Sequence, residues 1–348
     1  MLIRLLLQVC VFLSGGVALV MEAVFHKYLA TLVGSTTSAA AIVLAIYFLG
    51  LTGGALLAPK QPAGAGRRLA ALELFISIWS VVLALLFYPS YDLFARLLPS
   101  GPSPLPLALG RGIIALFWIL PPTLAMGAHL PTLRAALEEL SQPSPGLLTR
   151  LYALNLAGAF VFTLAAPFAL FAQLGLQGTL LGMAAVGFGV TAALWVSVGR
   201  RSSTPAPAPA PAPAPVPAES AATGGAPAAA RQSRLPPLAL GLAVGSGFAF
   251  FALEVVWNHL IAAVLGASTY SFSILLGAVL LSLALGSRWV EAAAPKGAEA
   301  ARRMVLQALG LVVALLPLCS ALWPHAGRVL ADLGGGLSDF WAGEALKL

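Results

Sequence analysis

Two glutamates stand inside otherwise apolar stretches, at the same place in two copies of one pattern. Ser14–Gly54 reads SGGVALVMEAVFHKYLATLVGSTTSAAAIVLAIYFLGLTGG, and Ser246–Gly286 reads SGFAFFALEVVWNHLIAAVLGASTYSFSILLGAVLLSLALG. The copies align without a gap; Ser14/Ser246, Gly15/Gly247, Glu22/Glu254, Val24/Val256, Gly34/Gly266, Thr37/Thr269, Leu49/Leu281 and Gly54/Gly286 are identical. Glu22 is followed four residues on by His26 and then by Lys27, and Glu254 by Asn258 and His259. That spacing puts each i, i+4 pair on one helix face. An acid within a spanning helix costs about 2.5–3.5 kcal/mol on insertion scales, so it faces a cavity or a partner. Two readings are open. One is a pair of symmetry-related cation or proton sites built from Glu22, His26, Lys27, Glu254, Asn258 and His259. The other is a structural hydrogen bond or ion pair between helices near the outer surface. At about 1.5 Å per residue, Glu22 lies about 25 Å from Leu5, where charge costs less.

Other polar and small residues offer weaker chemistry. Ser14-Gly15-Gly16 and Gly245-Ser246-Gly247 sit mid-span in equivalent positions. Gly/Ser pairs are where helices kink, and broken helices line transporter sites. Close helix packing is the alternative use of such residues. Gly50-x-x-x-Gly54 and Ser282-x-x-x-Gly286 are small-xxx-small patterns suited to packing. Arg111, Asn155 and His129 lie in or beside the fourth and fifth apolar runs. Arg111 can pair with Glu22 or Asp92, or snorkel to the outer headgroups. Asn155 suits an interhelical hydrogen bond. The four histidines are scattered, and Cys10 and Cys319 lack metal-ligand spacing, so neither a metal nor a cofactor is expected. No dinucleotide fingerprint, Walker loop or nucleophile elbow is present.

The elements that must position these residues are membrane helices. Of 348 residues 59% are hydrophobic and only 9% charged, against roughly 25% charged in an ordinary soluble domain. The net charge of +7 does not read as nucleic-acid binding, because the basic residues fall between apolar runs and form no stripe with aromatics. A spanning helix needs about 20 apolar residues. Nine runs qualify: roughly 5–32, 36–58, 69–88, 107–132, 150–172, 175–198, 236–262, 267–289 and 303–323. The apolar N-terminus resembles a signal peptide. Its counterpart deep inside the chain predicts instead a retained first span from about Leu5. Residues 200–234 are Pro/Ala-rich and predict an extended, solvated linker. The expected organisation is a six-span repeat over 1–199, that linker, and a second repeat of about three spans over 235–348.

With the N-terminus inside, fourteen of the 19 basic residues fall inside: Arg4, Lys60, Arg67, Arg68, Arg134, Arg150, Arg200, Arg201, Arg231, Arg234, Arg288, Lys296, Arg302 and Arg303. Lys27, Arg96, Arg111, Arg328 and Lys347 fall outside. The positive-inside rule thus predicts a cytoplasmic N-terminus and linker. The first and seventh spans both start inside, so the repeats are expected to be parallel, as in the two halves of a major-facilitator transporter. The copies run in step through Tyr88-Pro89 and Trp323-Pro324. The first then continues into LALGRGIIALFWILPP and the second into LSDFWAGEALKL, which predicts an incomplete second half.

The pattern S-G-x-x-A-L-x-x-E, the G-S-T-T and G-A-S-T-Y turns, LPPTLAMGAHLPTLRAAL (120–137) and LYALNLAGAF…ALFAQLGLQGTLL (151–181) together resemble the membrane domain of bacterial spermidine-synthase-like proteins. These are fused major-facilitator/spermidine synthases. The resemblance implies an all-α, polytopic inner-membrane bundle. It also implies an aminopropyltransferase domain beyond the spans, acting on decarboxylated S-adenosylmethionine and a polyamine. No position here matches that domain, so no catalytic residue carries over. Two functions follow as expectations. One is a transporter-like module handling polyamines or other organic cations. The other is a membrane anchor for an aminopropyltransferase domain or chain, with the glutamates purely structural.

Overall fold

Lipid offers no hydrogen bonds, so a chain this apolar satisfies its backbone within helices. The computed structural model describes residues 2–33, 36–59, 61–97, 104–139, 145–202, 237–265, 268–293 and 297–333, and these contain helices and short connections but no strand. The helices are α1 (Leu2–Val33), α2 (Thr36–Leu57), α3 (Ala65–Leu97), α4 (Pro104–Glu139), α5 (Pro145–Ala165), α6 (Phe171–Ser202), α7 (Pro237–Leu265), α8 (Thr269–Ala293) and α9 (Ala298–Leu333). A π-helical turn, Ala166–Leu170, joins α5 to α6. Most of the Pro/Ala segment, and everything after Leu333, lies outside the described residues; Arg200, Arg201 and Ser202 extend α6.

Seven described stretches are long and apolar enough to cross a membrane, and Ile42–Leu57 is a shorter apolar helix. One of the seven, Leu147–Ser197, has 51 residues, more than twice the roughly 20 of a single crossing. It bends at Gly175, whose φ of 66° and ψ of 179° leave the helical region; glycine reaches positive φ without the Cβ penalty. By length and composition the chain is a multi-pass helical membrane protein.

Helix α1 is central. It packs on α5, α6 and α2, while α2 packs on α4, α3 on α6 and α4, and α5 on α8. The expected breaks at Gly15, Gly16, Gly245 and Gly247 are not there: α1 and α7 run through them as continuous helix. In α1 these glycines serve contact instead. A Cβ on Gly15 would collide with the Asn155 carbonyl oxygen, and one on Gly158 with the Phe12 carbonyl. The α1 and α5 backbones therefore touch, as small residues permit between membrane helices. Gly54 of α2 and Gly127 of α4 make a similar approach. Among the described residues, departures from α-helix instead fall at the π turn and Gly175.

Proline also shapes the bundle. Pro122 has no N–H to give the Trp118 carbonyl one turn earlier. The Trp79 indole N–H of α3 donates to that carbonyl at 3.1 Å, tying α3 to α4. At the other end of α4, Glu139 accepts from the Gly64 and Gly66 backbone N–H groups at 2.8 and 2.9 Å. A carboxylate there satisfies orphan donors and favours the positive end of the α3 dipole.

The two copies of the repeated sequence differ in cover. Val17, Val20, Met21 and Val24 of α1 are core residues, whereas Val244, Phe248 and Val256 of α7 are exposed. None of the Arg302–Trp323 stretch of α9 is buried.

Candidate functional site

A cavity of about 750 Å³ lies among α1, α2, α3, α4, α5, α7 and α8. Its wall is mostly apolar, with a few polar groups projecting into it, the usual composition of a small-molecule site. Glu22 reaches it from α1 and Glu254 from α7. The two acids thus line one space. Both are buried, at 2% and 5% exposure. Glu22 Oε1 and Glu254 Oε2 have no hydrogen-bond partner among the described residues. Both carboxyls open on that same space. The Tyr47 side chain stands beside Glu22, its hydroxyl 3.8 Å from Met126 Sδ. Phe48 of α2 and Phe251 of α7 meet at 3.7 Å between ring centroids and form part of the wall. A pair of acids in low dielectric calls for a counter-charge, and aromatic faces nearby suit a cation.

The other residues singled out with the glutamates do not line this space. His26 is buried and stacks on Phe272 of α8, with centroids 4.2 Å apart and planes within 1°. Lys27 is exposed. Asn258 is buried on the Glu254 side of α7, whereas His259 is exposed with Nδ1 2.8 Å from the Val255 carbonyl. Arg111 is half-buried on α4, outside the lining. Asn155 does line the cavity and donates from Nδ2 to the Val11 carbonyl at 3.1 Å, bridging α5 and α1. Ser246 and Gly247 are in the wall, and Gly245 is exposed outside it.

A second acidic centre in the same cavity went unread in the sequence. Glu73 of α3 is 1% exposed. Ser14 donates its hydroxyl to Glu73 Oε1 at 2.5 Å. His129 Nε2 lies 2.8 Å from the same oxygen and 3.5 Å from Ser14 Oγ. All three side chains line the cavity. A signal existed: Glu73 is an acid inside an apolar run, the same criterion that marks Glu22. Glu73 lies outside the aligned copies 14–54 and 246–286, so the repeat does not point to it. Among the described residues no group of three or more His, Cys, Asp or Glu side chains is arranged to hold a metal ion.

No protein-family model, curated protein or solved structure matches the chain.

Proposed function

We propose that this chain is a transporter-like membrane module that binds an organic cation, of the polyamine class, between Glu22 and Glu254. The observation that carries the reading is the convergence of two buried carboxyls, each with an unpartnered oxygen, on one cavity. An unpaired acid costs a spanning helix about 2.5–3.5 kcal/mol on insertion scales, and two cost more when their charges repel. A cation between them offsets that repulsion. A protein serving only as an anchor has no use for such a pair. Aromatic wall residues add cation–π attraction, and the apolar remainder suits a methylene chain.

The finer architecture belongs to the same proposal. Nine spans cross the inner membrane from a cytoplasmic N-terminus, and α1–α3 and α7–α9 are parallel repeats of a major-facilitator-like bundle. The arginine and lysine distribution and the gapless repeat support this arrangement. In that frame Glu22 and Glu254 lie toward the outer face, and Glu73 lies toward the inner one. The module belongs to a spermidine-synthase-like protein, on the strength of the segments 120–137 and 151–181.

The test is equilibrium dialysis of labelled spermidine against the purified protein in detergent, with thermal unfolding as a check on the fold. Saturable binding that Glu22→Gln and Glu254→Gln each weaken supports the proposal. Absence of binding, or binding indifferent to both changes, rejects it in favour of a membrane anchor.

A further inference from the structure

The cavity continues past the acid pair. Ser14 and Glu22 lie eight residues apart on one continuous helix, about 12 Å along its axis. His129 stands at the Ser14 level, with Nε2 3.5 Å from Ser14 Oγ. Both side chains line the same cavity as Glu22 and Glu254. We infer that the ligand spans this length: one ammonium lies between Glu22 and Glu254, a second donates to His129 Nδ1, and the cavity selects linear diamines and polyamines by their reach. The inference deepens the cation reading of the cavity and rests on it.

The hydrogen bonds fix which nitrogen is offered. Ser14 spends its hydroxyl proton on Glu73 Oε1. His129 Nε2 lies 2.8 Å from the same oxygen. A carboxylate only accepts, so Nε2 carries the ring's N–H, and in a neutral imidazole Nδ1 is then an acceptor. Nδ1 takes no hydrogen bond from the described residues and is not sealed off. The side chain keeps 12% of its surface accessible, in the cavity wall. Glu73 is thus a positioning residue. It holds the tautomer and places negative charge behind the ring, which favours a cationic donor in front of it.

Reach then separates ligands. An extended chain advances about 1.2 Å per bond, so the nine bonds of spermidine or octane-1,8-diamine cover about 11 Å and the five of butane-1,4-diamine about 6 Å. Only the longer molecules meet both levels. Ala18 lies between the levels on α1, and Phe48, Leu51 and Phe251 join it in the wall. These apolar groups suit the methylenes between the two ends. Among the described lining residues there is no lysine or arginine, so the wall supplies no fixed cation to compete with the second ammonium.

The experiment displaces labelled spermidine from the full chain in detergent, at about pH 8, above the ordinary imidazole range. The competitors are butane-1,4-diamine and octane-1,8-diamine, each beside its one-ended counterpart, butylamine or octylamine, which accounts for the apolar chain. The gain from the second ammonium is expected to be about tenfold larger at eight carbons than at four, the scale of one charge-assisted hydrogen bond. His129→Phe removes the acceptor, and Glu73→Gln, whose amide can donate to Nε2, frees the tautomer. Both are expected to erase that difference in length while leaving butane-1,4-diamine unchanged. A structural role for the pair would weaken both lengths alike. Equal gains at both lengths in the wild type, or a length preference that survives both variants, overturns this inference and leaves the cation site standing. The wild-type comparison decides the matter if a variant fails to fold. No spermidine binding by the wild type overturns both readings.

Discussion

At one level of the cavity Glu22 and Glu254 each present a carboxyl oxygen without a partner. Eight residues back along α1, Ser14 and His129 both converge on a single oxygen of Glu73. The residue types overlap, and the burial is similar. The difference is whether the protein supplies the hydrogen-bond partners. Glu73 has an imidazole and a hydroxyl from two other helices, so the centre is complete in itself. Glu22 and Glu254 each keep one oxygen without a hydrogen-bond partner among the described residues, so theirs is open to something bound. An unpaired buried acid is a binding feature, and a paired one is a stabilising or proton-holding feature.

Substitutions can break that contrast or sharpen it. The largest effect is expected from removing both acids of the open pair. Glu22→Gln with Glu254→Gln should weaken spermidine binding about 100-fold, the scale of losing buried charge partners, as read by dialysis. Next comes stability. His129→Ala takes away the imidazole partner of Glu73 and should lower the unfolding free energy by about 2–3 kcal/mol. Glu22→Gln keeps the side-chain shape and breaks no hydrogen bond at Oε1, so it should leave stability unchanged or raised. Thermal unfolding in one detergent compares the two, and equal losses would erase the distinction. A third pair tests the cover of the two sequence copies. Gly15→Ala drives a methyl into the Asn155 carbonyl and should cost about 1–3 kcal/mol. Gly247→Ala meets open space and should stay within about 0.5 kcal/mol. A small effect is also expected from Asn155→Leu, which removes one interhelical hydrogen bond worth about 0.6 kcal/mol in membranes.

How much of this could be read in advance follows from what repetition reveals. Glu22 and Glu254 stand out because two copies carry them in register. Glu73 and His129 lie outside the aligned copies 14–54 and 246–286, so a search by repetition passes over them. Their meeting depends on α3 and α4 crossing α1 at Ser14, a tertiary fact that periodicity does not encode. His26, Lys27, Asn258 and His259 share a helix neighbourhood with the acids, but i+4 spacing fixes only the helix face. The cavity occupies a narrow sector of that face, and His26 turns to Phe272. The glycines misled in a related way. Gly15 and Gly16 mark weak points in an isolated helix, yet here close contact with Asn155 and Phe162 holds α1 straight through them. The bend falls at Gly175, where the apolar run is too long for one crossing. The apolar, multi-pass helical character was legible from composition alone, because lipid leaves the backbone few other solutions.

The central claim is that Glu22 and Glu254 form one site. A double-mutant cycle on spermidine affinity tests it most directly, using wild type, Glu22→Gln, Glu254→Gln and the double variant. A shared cation predicts that the two losses fail to add, with a coupling of at least about 1 kcal/mol. Losses that add within about 0.3–0.5 kcal/mol would mean two independent acids, and would contradict the account.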